Sequence, residues 1–340
     1  MKAVFLERQG GKIGLRYGEL PKPEPKTGEV LIKVKAAALN HLDLHLVSAK
    51  LDIPLPHISG SDVAGEIAEI NGHSKLEVGQ AVVVNPAIPC GKCDRCKKGL
   101  WCETVTIFGY KTTGGFAEYV VAPISQVYPM PENLSFVEAA AFPLTFLTAW
   151  HMLVGRANLQ KGETVFIWGA SGGLGSVAIQ IAKHLGAKVI AAAKDDKDAE
   201  KIKTIGADEV VIYTKGDTVE EVKRLNGDAL VDVVFESVGA KTWARTLAML
   251  RPYGRVVIAG TTSGEMASQD LSDVYYYQQT ILGSRMGTPE EFEKILELVN
   301  QGKLKPIVDK VFSLKNFSQA LKYLEESKQI GKVVIEVENT

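Results

Sequence analysis

Cysteine is scarce in this 340-residue chain: there are four, and all of them lie between Cys90 and Cys102. No thiol is left elsewhere to build a disulfide framework, to ligate a second metal or to act as a nucleophile. Net charge is scarcer still, at -1 from 39 basic and 40 acidic residues. That balance removes the electrostatic case for nucleic acid or an anionic membrane as partner and favours a small molecule. Long apolar runs are also missing, because charges or clustered glycines interrupt each one before it reaches the roughly 20 residues of a membrane span. The N-terminal segment MKAVFLERQGGK has a four-residue apolar stretch before Glu7, too short for the core of a signal peptide, so a cytoplasmic location is expected. There is no internal repeat and no low-complexity linker.

What is present divides in two, as a chain of this length leads one to expect. The first third carries short β-patterns separated by Gly and Pro, at 30–35, 63–70 and 80–84, which read as an antiparallel, barrel-like β domain. After Pro131 helical stretches alternate with apolar strands at 164–168, 188–192, 209–212, 231–235 and 254–258, the pattern of βαβ units on a doubly wound parallel sheet. The tail begins with a helix over 289–300 and closes with a strand over 332–335 that could return to the first domain. The expected division is 1–135 with 283–340 as one domain and 136–282 as the other.

The four cysteines follow C-x2-C-x2-C-x5-C in PCGKCDRCKKGLWC. Four thiolates at such spacing suit one structural zinc ion, held by Cys90, Cys93, Cys96 and Cys102 in a lobe spanning 88–104. A C-x2-C redox pair is the competing reading.

The strand at 164–168 runs into Gly169-Ala-Ser171-Gly172-Gly173-Leu174-Gly175 and then a helical segment. In this context A-x-G-x-x-G binds a dinucleotide: Gly172 lets the backbone approach a pyrophosphate, Gly175 lets helix and strand pack closely, and the helix N-terminus meets the phosphate charge. Ser171, Gly172, Gly173 and Leu174 are therefore candidate cofactor contacts. The tip of the second strand holds Ala193 where an acid would mark NAD, and Lys194, Lys197 and Lys201 follow, able to neutralise a 2′-phosphate. Asp195 and Asp196 argue the other way. NADP is expected, with NAD possible. Glu236-Ser-Val-Gly239 and Ala259-Gly260-Thr261 end parallel strands on the ligand side of the sheet, and their backbone is expected to contact the nicotinamide half.

These motifs resemble the medium-chain dehydrogenase/reductase superfamily over nearly the whole chain, with further matches at Pro143-Leu-Thr-Phe-Leu-Thr148-Ala-Trp150 and Gly331-Lys-Val-Val-Ile335. The resemblance implies a Rossmann cofactor domain, a GroES-like catalytic domain and a zinc lobe, although the last cysteine gap is x5 where the family usually has x7. Zinc alcohol dehydrogenases of that superfamily hold a catalytic metal with C-H-[ST]-D, G-H-E and a later Cys or Asp. Here the corresponding residues read Asn40-His41-Leu42-Asp43, Gly60-Ser61-Asp62 and Leu144. Neither a serine hydroxyl nor leucine replaces the imidazole and thiolate that zinc prefers. Asn40-x-x-Asp43 instead resembles the quinone-oxidoreductase branch, which implies hydride transfer without metal, with Asn40, Asp43 and Ser61 as candidate catalytic residues. Thr148 matches a position lining the same cleft, and Tyr213 one near the adenosine phosphate.

Three functions remain open at this stage. The first is an NADPH-dependent reductase of quinones or α,β-unsaturated carbonyls, the second a zinc-type alcohol dehydrogenase with unconventional ligands, and the third a non-enzymatic NADP-binding protein. His41 and His45, four apart, could with Asp62 form a rebuilt metal site. A homodimer or homotetramer is expected, with the strand at 254–258 and the segment 279–283 at the interface.

Overall fold

The computed structural model describes residues 1–9, 12–47 and 53–337. Along the chain the strands are β1 (Lys2–Gln9), β2 (Lys12–Glu19), β3 (Glu29–Ala38), β4 (Asp62–Asn71), β5 (Ala81–Val84), β6 (Ala87–Ile88), β7 (Thr106–Ile107), β8 (Tyr119–Pro123) and β9 (Val127–Pro129). There follow β10 (Thr164–Ile167), β11 (Lys188–Ala193), β12 (Glu209–Ile212), β13 (Val231–Glu236), β14 (Leu250–Ile258) and β15 (Thr280–Gly283), then β16 (Val308–Ser313) and β17 (Lys332–Glu336).

Contacts divide these residues into two compact units, one of 1–144, 288–302 and 306–340 and the other of 145–287 with 303–305. The division leaves 136–144 with the first unit because its side chains are spent there. Phe142 is fully buried and stacks on Phe292 at 6.0 Å, and Tyr128 meets the edge of the same ring at 5.1 Å.

In the first unit the main sheet runs β16-β17-β3-β4-β5-β9, with β8 also paired to β3. β3 is antiparallel to β4, β8 and β17, so its alternate residues Val30, Ile32 and Val34 face one core, with Ile67, Phe116, Phe317, Val333 and Ile335 packed around them. Phe116 and Phe317 meet edge to face at 4.6 Å. The two-stranded β6-β7 ladder flanks the cysteine segment.

In the second unit six parallel strands run β12-β11-β10-β13-β14-β15. Counted from β10, that order is 3-2-1-4-5-6, with the reversal between β10 and β13. Ligands bind such sheets at the carboxyl ends of the strands, outside that switch point. Phe166, Ile190 and Val234 on one face of this sheet and Val165, Val189 and Val233 on the other are all buried, as helix-covered parallel strands require. No described helix is long and apolar enough to cross a membrane.

Candidate functional site

Strand register assembles a polar cluster at one end of the first unit's sheet. Ala38 pairs with Val334 on one side and Asp62 on the other, and the Leu39 N–H donates to the Val333 carbonyl at 2.9 Å. Two residues beyond the Ala38–Val334 pair, Asn40 and Lys332 come together beside Asp62. The Lys332 ammonium donates to Asn40 Oδ1 at 2.6 Å and to Asp62 Oδ2 at 2.9 Å, while Asn40 Nδ2 donates to that same carboxylate oxygen at 2.9 Å. Asp62 Oδ1 accepts from the backbone N–H of Leu144 at 2.7 Å. The Asp62 and Lys332 side chains are 0% and 5% exposed, so the ion pair is hidden from water with its hydrogen bonds made internally. Ser61 is buried beside it in sequence.

Asn40 precedes the helix His41–Val47, yet its side chain does not cap that helix. The bond runs the other way, from the Asn40 backbone N–H to Asp43 Oδ2 at 2.8 Å. Asp43 is wholly enclosed, and its Oδ1 has no hydrogen-bond partner among the described residues. Burial pushes its pKa up to about 7, against the opposing pull of the Asn40 amide, the Lys332 charge and the nearby Ser59 hydroxyl, while Asp62 adds to the rise. The unfolded aspartate ionises near 3.8 and the folded one near 7, so the unfolded chain binds fewer protons between these values. The contribution of Asp43 to stability therefore falls as pH rises through that window and levels off above it. We expect Asp43→Asn, which keeps an acceptor for the Asn40 amide, to stabilise the protein by about 1 kcal/mol or more at pH 8 and by little at pH 4. Urea unfolding at the two pH values measures this, and an equal shift at both would contradict it.

His41, at the start of the helix, is held below its ordinary value by burial and then by the charges of Lys332 and His45. The four cysteines are the only group of three or more His, Cys, Asp or Glu donors that converges among the described residues, so His41, His45 and Asp62 do not form a metal site there.

The glycine loop of the second unit has the geometry its spacing implies. The helix Gly173–His184 begins directly after β10, and its N-cap, Gly172, makes no side-chain hydrogen bond. The amides of Gly173, Leu174 and Gly175 are thus first-turn donors that the helix cannot satisfy internally. A Cβ on Gly175 would lie 2.2 Å from the Gly169 carbonyl oxygen, so only glycine lets the helix start this close to the strand, whereas at Gly172 the nearest atom is 3.4 Å away. That cradle fits the pyrophosphate of a dinucleotide. Gly260 has φ +155, and a Cβ there would meet the Ser237 carbonyl at 2.9 Å, so the turns after β13 and β14 touch backbone to backbone.

Thr148 is buried, its hydroxyl 3.7 Å from Met286 Sδ. Tyr213, just past β12, lies edge-on to Trp168 at 6.1 Å and donates its backbone N–H to the Ala193 carbonyl. Lys194 is exposed at the tip of β11, and Ser171 lies in the glycine loop without capping the helix. The two acids beyond Lys194 are occupied: Asp195 caps the helix Asp196–Ile205 through the Asp198 amide at 2.9 Å, and Asp196 pairs with Lys215 at 2.8 Å.

Sequence reasoning placed Glu236, at the end of β13, only in a segment whose backbone would meet the cofactor, and gave no role to its carboxylate, which is wholly buried. One carboxylate oxygen accepts from the amides of Val238 and Gly239 at 2.6 and 3.0 Å, the other from the hydroxyls of Thr242 and Thr246 at 2.8 and 2.6 Å. The Trp168 indole donates to the Thr246 oxygen at 2.8 Å, continuing the chain. The apolar strand signal hid this carboxylate, and only the Thr and Gly spacing after it hinted at partners.

In the cysteine lobe all four sulfurs lie within 4.8 Å of one another, with Cys93 and Cys96 at 3.4 Å and Cys90 and Cys96 at 3.9 Å. A tetrahedron of thiolates around zinc at 2.3 Å has edges of about 3.8 Å, so the quartet fits one closed structural ion. Cys93 caps the short helix Asp94–Lys97, accepting from the Cys96 amide. The Lys92 amide pulls the Cys90 thiol down to about 5, while burial and its neighbours push Cys96 up to about 12. Burial opposes ionisation of Cys102, but the amides of Cys90 and Thr104 outweigh it and hold that thiol below its ordinary value.

A family model for the alcohol dehydrogenase GroES-like domain matches residues 26–132, and one for zinc-binding dehydrogenases matches 173–301. The chain is 32% identical over 349 residues to an NAD-dependent alcohol dehydrogenase of Sulfolobus acidocaldarius, covering 99% of this chain and 100% of that protein. It is also 32% identical over 340 residues to an acryloyl-coenzyme A reductase of Sulfurisphaera tokodaii, covering 98% and 99%. A crystal structure of an NAD-dependent alcohol dehydrogenase superposes with a TM-score of 0.95 at 40% identity, covering 99% of this chain and 100% of the other.

Proposed function

The chain belongs to the medium-chain dehydrogenase/reductase superfamily, and from that premise we propose that it is an NADPH-dependent oxidoreductase that reduces a quinone or an α,β-unsaturated carbonyl without a catalytic zinc ion. The observation that carries this reading is the locked Asn40, Asp62 and Lys332 cluster. At the positions where zinc dehydrogenases of the superfamily keep their ligands, this chain has an amide, a serine and an apolar residue. A buried lysine ammonium is already bonded to two of the oxygens left for a metal. Such a donor set suits neither the charge nor the N/S preference of zinc.

A bound nicotinamide dinucleotide supplies the hydride. An isolated ketone needs several kcal/mol of carbonyl polarisation from a Lewis acid, but a conjugated acceptor takes hydride at carbon and moves the charge to an oxygen that hydrogen bonds can stabilise. Asn40 has one amide N–H committed to Asp62 and a second to offer that oxygen, with the Ser61 hydroxyl close in sequence. Gly172 to Leu174 hold the pyrophosphate, while Thr148 and the Gly260 turn border the nicotinamide half. NADP is favoured because Asp195 and Asp196 are engaged elsewhere, leaving Lys194 and Tyr213 beside the place a 2′-phosphate would take. The similarity to an acryloyl-coenzyme A reductase supports a conjugated substrate.

The second reading, a zinc-type alcohol dehydrogenase, is favoured by the similarity to the Sulfolobus enzyme. A hydride-transfer screen with NADPH and NADH against quinones, enones and simple alcohols, run with zinc stoichiometry, decides between them. We expect enone or quinone reduction and about one zinc per chain. Two zinc ions per chain with chelator-sensitive alcohol oxidation would overturn the proposal. The same reading takes the protein as a cytoplasmic homodimer or homotetramer that contacts its copies through the second unit's face bearing exposed Tyr275, Tyr276 and Ile281.

A further inference from the structure

We propose that Lys332 is a positioning residue for hydride transfer, whose ammonium fixes which way round the Asn40 amide faces. The inference rests on the proposed function only in placing Asn40 beside the reacting carbonyl. An asparagine side chain offers an oxygen on one side and two N–H groups on the other, and the two ends occupy nearly the same space. Neighbours alone decide the orientation. Here they decide it twice: Lys332 is a donor without acceptor capacity and engages Oδ1 at 2.6 Å, while the Asp62 carboxylate accepts from Nδ2 at 2.9 Å. Turning the amide over would set N–H against ammonium and oxygen against carboxylate in one water-free spot.

Lys332 has a second task in the same cluster, because it neutralises Asp62. Without the lysine the buried carboxylate would lack its counter-ion and Asn40 Oδ1 would lose its donor. The amide would then be held at Nδ2 alone, and its free N–H would no longer be fixed in one direction. Backbone geometry places the lysine. Gly331 has φ +87, and a Cβ on it would meet the Ile307 carbonyl at 2.3 Å, so the turn into β17 is tight. The Lys332 N–H donates to the same carbonyl at 2.8 Å.

The test compares wild type, Lys332→Met and Lys332→Arg for kcat and KM, with thermal unfolding as a check on folding. Wild type is first assayed with enones, quinones and alcohols, and whichever it turns over becomes the reporter. Failure of wild type on every enone and quinone sinks the substrate reading, while the Lys332 comparison still proceeds on an alcohol. The Met variant is expected to lose about 10- to 100-fold in kcat with the KM for dinucleotide changed less than about 3-fold. The Arg variant, which keeps the charge, is expected to recover most of the rate. A folded Met variant with wild-type kcat overturns the inference, and so does a loss confined to dinucleotide KM, which would make Lys332 a phosphate contact. Should the Met variant fail to fold, Lys332→Gln, whose amide can donate or accept, carries the test, and a folded Gln variant with wild-type kcat would also overturn the inference.

Discussion

Replacing Glu236 by Ala is expected to destabilise the second unit by about 3 to 5 kcal/mol, lowering its melting temperature by roughly 10 to 15 °C. The magnitude follows from what the substitution strands. Four donors, the amides of Val238 and Gly239 and the hydroxyls of Thr242 and Thr246, end on one carboxylate that is wholly buried. Removing the acceptor leaves them unpaired where water does not reach, and the Trp168 indole loses the far end of its chain. Glu236→Gln keeps the volume but turns an amide NH2 toward groups that are themselves donors, so it should recover only part of the loss. The turn they anchor, 237–239, adjoins Gly260, and dinucleotide affinity should fall in both variants. Urea unfolding and cofactor titration read the two effects. A loss of stability below about 1 kcal/mol in the Ala variant would remove the network from any account of this unit.

Cys93→Ser is the second large effect, and its direction separates structure from chemistry. The substitution removes one thiolate of the quartet and weakens the cap of the helix Asp94–Lys97. Free energy of metal binding is folding free energy for a lobe with so little apolar core: its helix has no buried residue, and only Cys102 among the ligands is buried. A fall in melting temperature of roughly 10 °C or more is expected, with zinc content dropping toward zero. Hydride transfer per folded molecule at 25 °C should change less than about twofold, because a closed four-sulfur site offers no open position to a substrate. Selective loss of turnover in a stably folded variant would show that the lobe takes part in the reaction.

The parts of this protein legible in its sequence are those whose signal is local. The cysteine spacing, the strand-glycine-helix junction at Gly169 to Gly175 and the helix Pro289–Asn300 each carry their reason within a dozen residues. Asn40 and Asp43 were also visible as a motif, though the hydrogen bond between them runs opposite to a simple N-cap. Lys332 was visible as part of a terminal strand pattern and of the matching segment 331–335, with no role of its own. Its meaning depends on β17 pairing with β3 in a register that sets it opposite Asn40, 292 positions away, and alternation of apolar residues does not specify a partner strand. The carboxylate of Glu236 escaped because the residue ends a strand buried on both faces, where a carboxylate contradicts the apolar pattern unless its acceptors are already satisfied. Asp195 and Asp196 are engaged in a helix cap and a surface ion pair, roles that their place in the sequence does not reveal.

The order in which these strands are made has a consequence of its own. β17 follows every other strand in the chain, so Asp62 and Lys332, 270 positions apart, are synthesised far from each other in time. At about 5 to 20 residues per second, roughly 15 to 50 seconds separate them. During that interval the whole parallel sheet emerges and can fold as a unit, while Asp62 waits without its counter-ion and the first unit's sheet lacks the strand that covers β3. A nascent chain can therefore acquire a dinucleotide fold well before it can acquire a working site, and the site's assembly marks the moment at which its discontinuous first unit closes.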